Sequence, residues 1–341
     1  MKSLTALFLL TVLFAVKTQA QLKSSTLVDS SGNYIEEIVY NAGSSLFAVL
    51  TTCKGDNNCT NLQIYDKSLV RKASLTIPAR ADWMVFNPAS TLLLVGGSGY
   101  SSRKGCVYLY DITSIDNIKT ISGQVVDDQI EAGAFSPGGE MYAISAAKAK
   151  QILVFNTYDQ SLSTRIALDA AAPKISFFNN EEILANIGYS QLELINFKKQ
   201  QSPVRFTAPN DLGINGFYIA RQGYRMLVST MARIYLYDLK QMKDIAYERV
   251  GKNRDASYRS TYGKAISPDG NTAVMIYAHK VLVLYNDFKK NREIDFKQRP
   301  GMKDSWYRFS NITFSPDNTK VLYSIGNQLY VSDYTDWVPG K

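Results

Sequence analysis

Histidine is almost missing from this 341-residue chain, which holds only His279. Any Ser-His-Asp or Cys-His machinery would have to run through that residue, and zinc sites that need two or more histidines are excluded. His279 lies in Tyr277-Ala278-His279-Lys280, a turn expected between two strands, and reads as an exposed turn residue. Cysteine is scarce too, with three residues and no CxxC pair, so neither a zinc ribbon nor a dense disulfide scaffold is encoded. There is no P-loop, no HExxH and no spaced aspartate ladder of the EF-hand type. Gly96-Gly97-Ser98-Gly99 is followed by Tyr100, which leaves GxSxG incomplete, and the stretch reads as a flexible loop. Neither a cofactor nor a bound metal is expected. The longest apolar run, Leu4 to Val16, is thirteen residues, short of the roughly 20 that span a bilayer. The C-terminus, Asp333 to Lys341, is polar and resembles neither a GPI-attachment tail nor an ER-retention signal.

The short apolar run itself is informative. It follows Lys2 and ends in Thr18-Gln19-Ala20, with small residues where a signal peptidase cuts, so residues 1–20 read as a secretory signal peptide and 21–341 as one exported domain without a membrane span. Export makes the cysteines legible, because disulfides persist in oxidising compartments. Cys53 and Cys59 flank the turn-like Lys54-Gly55-Asp56-Asn57-Asn58 and are expected to staple a hairpin, leaving Cys106 as a free, buried thiol. Two N-glycosylation sequons occur. Asn58-Cys59-Thr60 lies in the exposed loop, and Asn311-Ile312-Thr313 lies in an expected inner strand, where use is disfavoured.

A repeat fills the rest. An aromatic or apolar anchor is followed by a polar turn, a mostly apolar strand, a short gap and a strand ending in Asp or Asn. The anchors are Tyr40, Phe86, Phe135, Phe178, Tyr218, Ile266 and Phe314, spaced 46, 49, 43, 40, 48 and 48 residues apart. The matching second strands are residues 62–66, 107–111, 152–156, 192–196, 234–238, 281–286 and 329–333. Such spacing is close to the 40–45 residues of a propeller blade. Ser-Pro-Asp-Gly turns supply a fixed φ at Pro and a positive φ at Gly, as a tight connection between antiparallel strands needs. Strands apolar on both faces, such as Val281 to Tyr285, suit sheets sandwiched between neighbours rather than one-sided sheets. A lone four-stranded blade cannot bury its faces, so the ring must close. The segment 25–37 is expected to supply the outer strand that the last repeat lacks. The fold class is therefore all-β: a seven-bladed β-propeller of four-stranded antiparallel blades, closed by the N-terminal strand.

These Phe-Ser-Pro-Asp/Gly turns and Tyr-Asp strand ends resemble the WD-repeat and related seven-bladed propellers over roughly residues 25–337. The chain departs from that family in having no Gly-His dipeptide in any repeat and no strand ending in Trp-Asp, so the family's polar Asp-His-Ser/Thr-Trp network cannot form. The resemblance implies a rigid scaffold for binding partners and names no ligand.

Charge distribution is the remaining clue. Without residues 1–20 the chain holds 36 basic and 30 acidic residues. Residues 248–308 alone hold thirteen Lys+Arg and seven acids, a surplus equal to that of the entire mature chain. In a propeller the links from an outer strand to the next inner strand emerge on one face. Two such links would place Lys252, Arg254, Arg259, Arg299, Lys303 and Arg308 near one another, interleaved with Tyr258, Tyr262, Trp306 and Tyr307. Basic side chains among rigid aromatics suit an extracellular protein or an acidic glycan. Export argues against nucleic acid as the usual partner, and the chain is expected as a monomer or within a hetero-complex. The expected function is non-catalytic binding through this face. The competing expectation is a channel hydrolase acting on a small sugar or lactone, with Asp127, Asp128 and Glu131 as its first candidates.

Overall fold

In five of the seven blades the polar turn after the anchor is held from inside by one buried side chain. The Asn41 Oδ1 accepts from the backbone N–H groups of Ser45 and Leu46, both at 3.0 Å, and Asn87 Oδ1 accepts from Thr91 and Leu92 at 2.8 Å. In the Ser-Pro versions, Ser136 Oγ accepts from Met141 N (3.0 Å), Ser267 Oγ from Thr272 N (2.9 Å) and Ser315 Oγ from Lys320 N (2.9 Å). Gly139 and Gly270 take the positive φ such turns require, at 83° and 73°. The Asp or Asn that ends the third strand does the same for the outer hairpin: Asp66, Asp111, Asn196 and Asp238 each accept from a backbone N–H two residues on. Where both are seen, as in blades 1 and 2, the two recurring sequence marks are the two turn caps of the blade.

The computed structural model describes residues 26–338, apart from 30–33, 99–103, 189–190, 200–201, 207–212, 221, 223, 231–232, 242, 250–260, 278–279 and 296–308. Its strands form seven four-stranded antiparallel sheets. From blade 1 to blade 7 the inner strands are Ile35–Tyr40, Trp83–Phe86, Ile130–Phe135, Lys174–Phe177, Ile214–Ala220, Thr261–Ile266 and Phe309–Phe314. In blades 1 to 6 the strands run from inside to outside in chain order. Blade 7 is completed by Thr26–Asp29, which pairs antiparallel outside Gln328–Asp333, with Thr26 opposite Val331 and Leu27 opposite Tyr330. The expected closure by the N-terminal strand is therefore present. Among the described residues no helix is long and apolar enough to cross a membrane.

The core lies between the blades. Seven hydrophobic clusters can be traced among the described residues, and each joins the facing sheets of two successive blades. One of them packs Ile35, Phe47 and Tyr65 of blade 1 against Leu322, Leu329 and Val331 of blade 7, so the last seam is as apolar as the rest. At the seam of blades 6 and 7 sits Trp337, fully buried, with its indole N–H donating to Ser332 Oγ at 2.6 Å.

The glycine-rich stretch differs from expectation. Gly96, Gly97 and Ser98 belong to the strand Leu92–Ser98 rather than to a loop, while Gly99 lies outside the described residues. The reason is steric. The Trp83 indole lies between blades 2 and 3, so a Cβ on Gly96 or on Gly133 would come within 2.4 Å of it. The glycines make room for a large ring. Trp83 Nε1 then donates to the Ile130 carbonyl at 2.9 Å across the seam.

The disulfide pairs Cys53 with Cys59, as expected, across a hairpin whose two-residue turn places Gly55 at φ 80°. Cys106 is buried and free, its thiol donating to the Arg80 carbonyl at 3.3 Å, and burial pushes its pKa up to about 12. Asn58 is exposed in the strand after that turn. Asn311 lies in the inner strand of blade 7, and its amide nitrogen, the atom a glycan would take, donates to the Ile35 carbonyl at 3.0 Å.

Candidate functional site: the channel mouth

The inner strands do not enter the ring straight. Register shifts occur near the start of five of them, between Ile35 and Glu37, Ile130 and Ala132, Ile214 and Gly216, Thr261 and Lys264, and Phe309 and Ile312. Such bulges leave a backbone group unpaired and re-aim side chains. Three of the freed carbonyls are taken by the preceding blade: Ile35 by Asn311, Ile130 by Trp83 and Ile214 by Asn186. The bulges therefore lock neighbouring blades together at the end where each inner strand begins.

That end is also where charge enters the interior. A cavity of about 770 Å³ lies along the ring axis and is lined by all seven inner strands. Glu37, Asp82 and Glu131 reach it from blades 1, 2 and 3, and Lys174 and Lys264 from blades 4 and 6. Blade 5 contributes Tyr218, and blade 7 contributes Asn311 and Thr313. The wall is therefore divided into an acidic arc and a basic arc, with neutral polar groups closing the circle.

Burial dominates the electrostatics of both arcs. It pushes the Glu37 carboxyl up to about 7, although Lys174 across the channel and the Ile38 N–H pull the other way. Burial likewise raises Asp82 to about 6, against a hydrogen bond from Ser98 N at 3.4 Å. Glu131 is raised by burial and by the charge of Asp128, and its Oε2 has no hydrogen-bond partner. On the other arc, burial lowers Lys174 to about 8 despite the attraction of Glu37. Lys174 Nζ sits 3.5 Å from the centre of the Tyr218 ring, a cation–π contact. Lys264 is only 8% exposed, and burial, with the like charge of Lys174, brings it to about 8. It makes no ion pair among the described residues.

One further carboxylate is used structurally. Glu36, the bulged neighbour of Glu37, pairs with Arg80 at 2.5 Å, ties blade 1 to the link entering blade 2, and has side-chain exposure of 10% like its partner. Of the three acidic candidates read from the sequence, only Glu131 lines the cavity. Asp128 accepts from the Gln129, Lys148 and Ala149 N–H groups and caps a hairpin, and Asp127 makes an exposed ion pair with Lys148 at 3.5 Å. Among the described residues no group of three or more His, Cys, Asp and Glu could hold a metal ion.

Lys252, Arg254, Tyr258, Arg259, Arg299, Lys303, Trp306, Tyr307 and Arg308 lie outside the described residues, as does His279. Tyr262 lies in the inner strand of blade 6. The strands that bracket the two basic links are described. Residues 250–260 join the outer strand Lys243–Arg249 of blade 5 to the inner strand of blade 6, and residues 296–308 join Lys290–Asp295 to the inner strand of blade 7. Both links are anchored at the end of the ring where the cavity charges sit.

The residues missed in the sequence were Glu37, Asp82, Lys174, Lys264 and Tyr218. A signal existed for several of them. Aligned on the anchors, the position three or four residues upstream reads Glu37, Asp82, Glu131, Lys174 and Asn311, polar in a strand that otherwise faces packed neighbours.

The fold and this mouth define a seven-bladed propeller with a bipolar central cavity. Neither the protein-family models nor the curated proteins include a match to this chain.

Proposed function

We propose that this protein is an exported, non-catalytic binding propeller, a divergent relative of the WD-repeat type, that engages an acidic glycan or an extracellular protein through the face carrying residues 250–260 and 296–308. The observation that carries the reading is the placement of surplus charge. Lys252, Arg254 and Arg259 against Asp255, and Lys297, Arg299, Lys303 and Arg308 against Asp304, hold nearly all of the mature chain's excess, and both segments are anchored at one end of neighbouring blades. Clustered positive charge steers acidic partners and raises their local concentration. Residues 1–20 and the Cys53–Cys59 disulfide support export.

Salt-gradient elution of the mature protein from heparin tests this. The comparison is with a variant in which Arg254, Arg259, Arg299 and Lys303 are changed to Glu, and with a control reversing the exposed Arg71, Lys119, Lys150 and Lys199. Late elution of the wild type, lost in the first variant far more than in the control, is expected. Early elution of the wild type, or equal losses, would reject the glycan arm, and cross-linking to extracellular proteins would then test the protein arm. The alternative reading, a hydrolase of a small sugar or lactone, keeps only Glu131 of its candidate carboxylates at the cavity.

A further inference from the structure

The central cavity carries an inference independent of the loop face. Its two arcs oppose one another: carboxylates on three consecutive blades, Glu37, Asp82 and Glu131, and ammonium groups on blades 4 and 6, Lys174 and Lys264. Glu37 and Lys174 partly satisfy each other across the opening, and Lys174 also rests on the Tyr218 ring. That leaves Lys264 on one side, and Asp82 and Glu131 on the other, without a counter-charge across the opening. Lys264 is more than nine-tenths buried, borders the cavity and pairs with no carboxylate among the described residues. Opposite, Glu131 stands on a strand bulge with one oxygen buried and without a hydrogen-bond partner. Buried charges without partners are costly, and proteins retain them chiefly where something else completes the pairing.

The division of the wall restricts what that something is. A ligand of one sign is drawn to one arc and repelled by the other at similar distance. A ligand charged at both ends is drawn to both. Size narrows the class further. A cavity of about 770 Å³ is equivalent to a sphere about 11 Å across, too wide for the two charges of a free amino acid to reach both walls. An extended tripeptide spans roughly 10 Å at about 3.3–3.6 Å per residue. Apolar residues, among them Ile175, Phe217, Ala132 and Met84, also line the wall.

We propose that the channel mouth binds a short peptide with free termini, its carboxylate seated against Lys174 and Lys264 and its ammonium against Asp82 and Glu131. Asn311, Thr313 and Ser176 on the same wall offer hydrogen bonds to the peptide groups between.

Equilibrium dialysis of the mature full-length protein against a mixed-sequence tripeptide pool, read by mass spectrometry at neutral pH, tests the proposal. Two matched pools, one N-acetylated and one C-amidated, are run beside it. Free-ended tripeptides should be retained, and each blocked pool should bind at least tenfold more weakly. Lys264→Met should lose about tenfold for free-ended peptides and leave the amidated pool unchanged, while Glu131→Gln should weaken free-ended peptides and leave the acetylated pool unchanged. The blocked-pool comparison on the wild type needs no variant, so it stands even if a substitution impairs folding. No retention of the free pool, equal retention of the blocked pools, or full retention by both folded variants would overturn the assignment. Heparin elution with the Arg254, Arg259, Arg299 and Lys303 reversals reads residues outside the cavity lining, so its outcome is separate from the peptide result.

Discussion

Carboxylates at the two ends of these blades have opposite fates. Asp66, Asp111 and Asp238 close the outer hairpins, where waiting N–H groups or hydroxyls hold their pKa values below the usual carboxylate range. Glu37, Asp82 and Glu131 stand at the channel mouth, where burial pushes theirs up. Both sets are carboxylates carried on or beside blade strands. What differs is burial first and then the number of donors facing each oxygen, and together these separate a carboxylate that builds the blade from one left available to something else.

The largest expected effect removes the wall that shelters the inner set. Trp83→Ala empties the space between Gly96 and Gly133 and strips the Ile130 carbonyl of its donor, so urea denaturation should show a loss of about 3–5 kcal/mol. If the loss is no larger than for exposed Tyr158→Ala, expected within about 0.5 kcal/mol, the mouth is not the rigid element described here. Next in size is the double replacement of Cys53 and Cys59 by Ala. Its short loop predicts a cost of about 2 kcal/mol by the same measurement, with the mouth unaffected.

Acid and base sharpen the comparison further. A carboxyl raised by folding favours the native state while protonated, so the contribution of Glu37 and Asp82 should be full below about pH 4 and fade as pH rises through about 6 to 7. Lysines lowered by folding act in the reverse sense: Lys174 and Lys264 lose stability as pH falls from about 10.5 through about 8. The channel groups together should therefore give a shallow minimum of stability near pH 7 to 8. The outer aspartates gain stability as pH rises toward their unfolded value and should show nothing in that window. Glu37→Gln should flatten the slope between pH 4 and 7, whereas Asp238→Asn should leave it in place; an unchanged slope in Glu37→Gln would show that burial of this group has been misjudged. The smallest effect is a gain: Glu131→Gln removes repulsion from Asp128 and should raise the melting temperature slightly.

The ring was legible in the sequence because its marks are local. Ser136, Ser267 and Ser315 cap turns five residues or fewer away, and Asp66 and Asp238 cap hairpins within four, so each repeat carries its own punctuation. The site was hidden because its members meet only after closure. Glu37 and Lys174 stand 137 positions apart in the chain and face each other across a channel that no single blade possesses. Strand bulges made this harder, since a period-2 reading assigns Glu37 to the wrong face once the register shifts between Ile35 and Glu37. Gly96 failed for a related reason, because glycine that yields space to a distant Trp looks identical in sequence to glycine that frees a loop.

The pairing of Thr26 with Val331 has a consequence in time. The first strand of the ring waits for the last to be made, so a nascent chain holds blades with unmated faces until synthesis reaches the seventh. A chain rejoined through its two ends and reopened between any two blades would carry the same ring with the seam moved elsewhere. Its channel would be intact, and only the order in which the arcs come together would change.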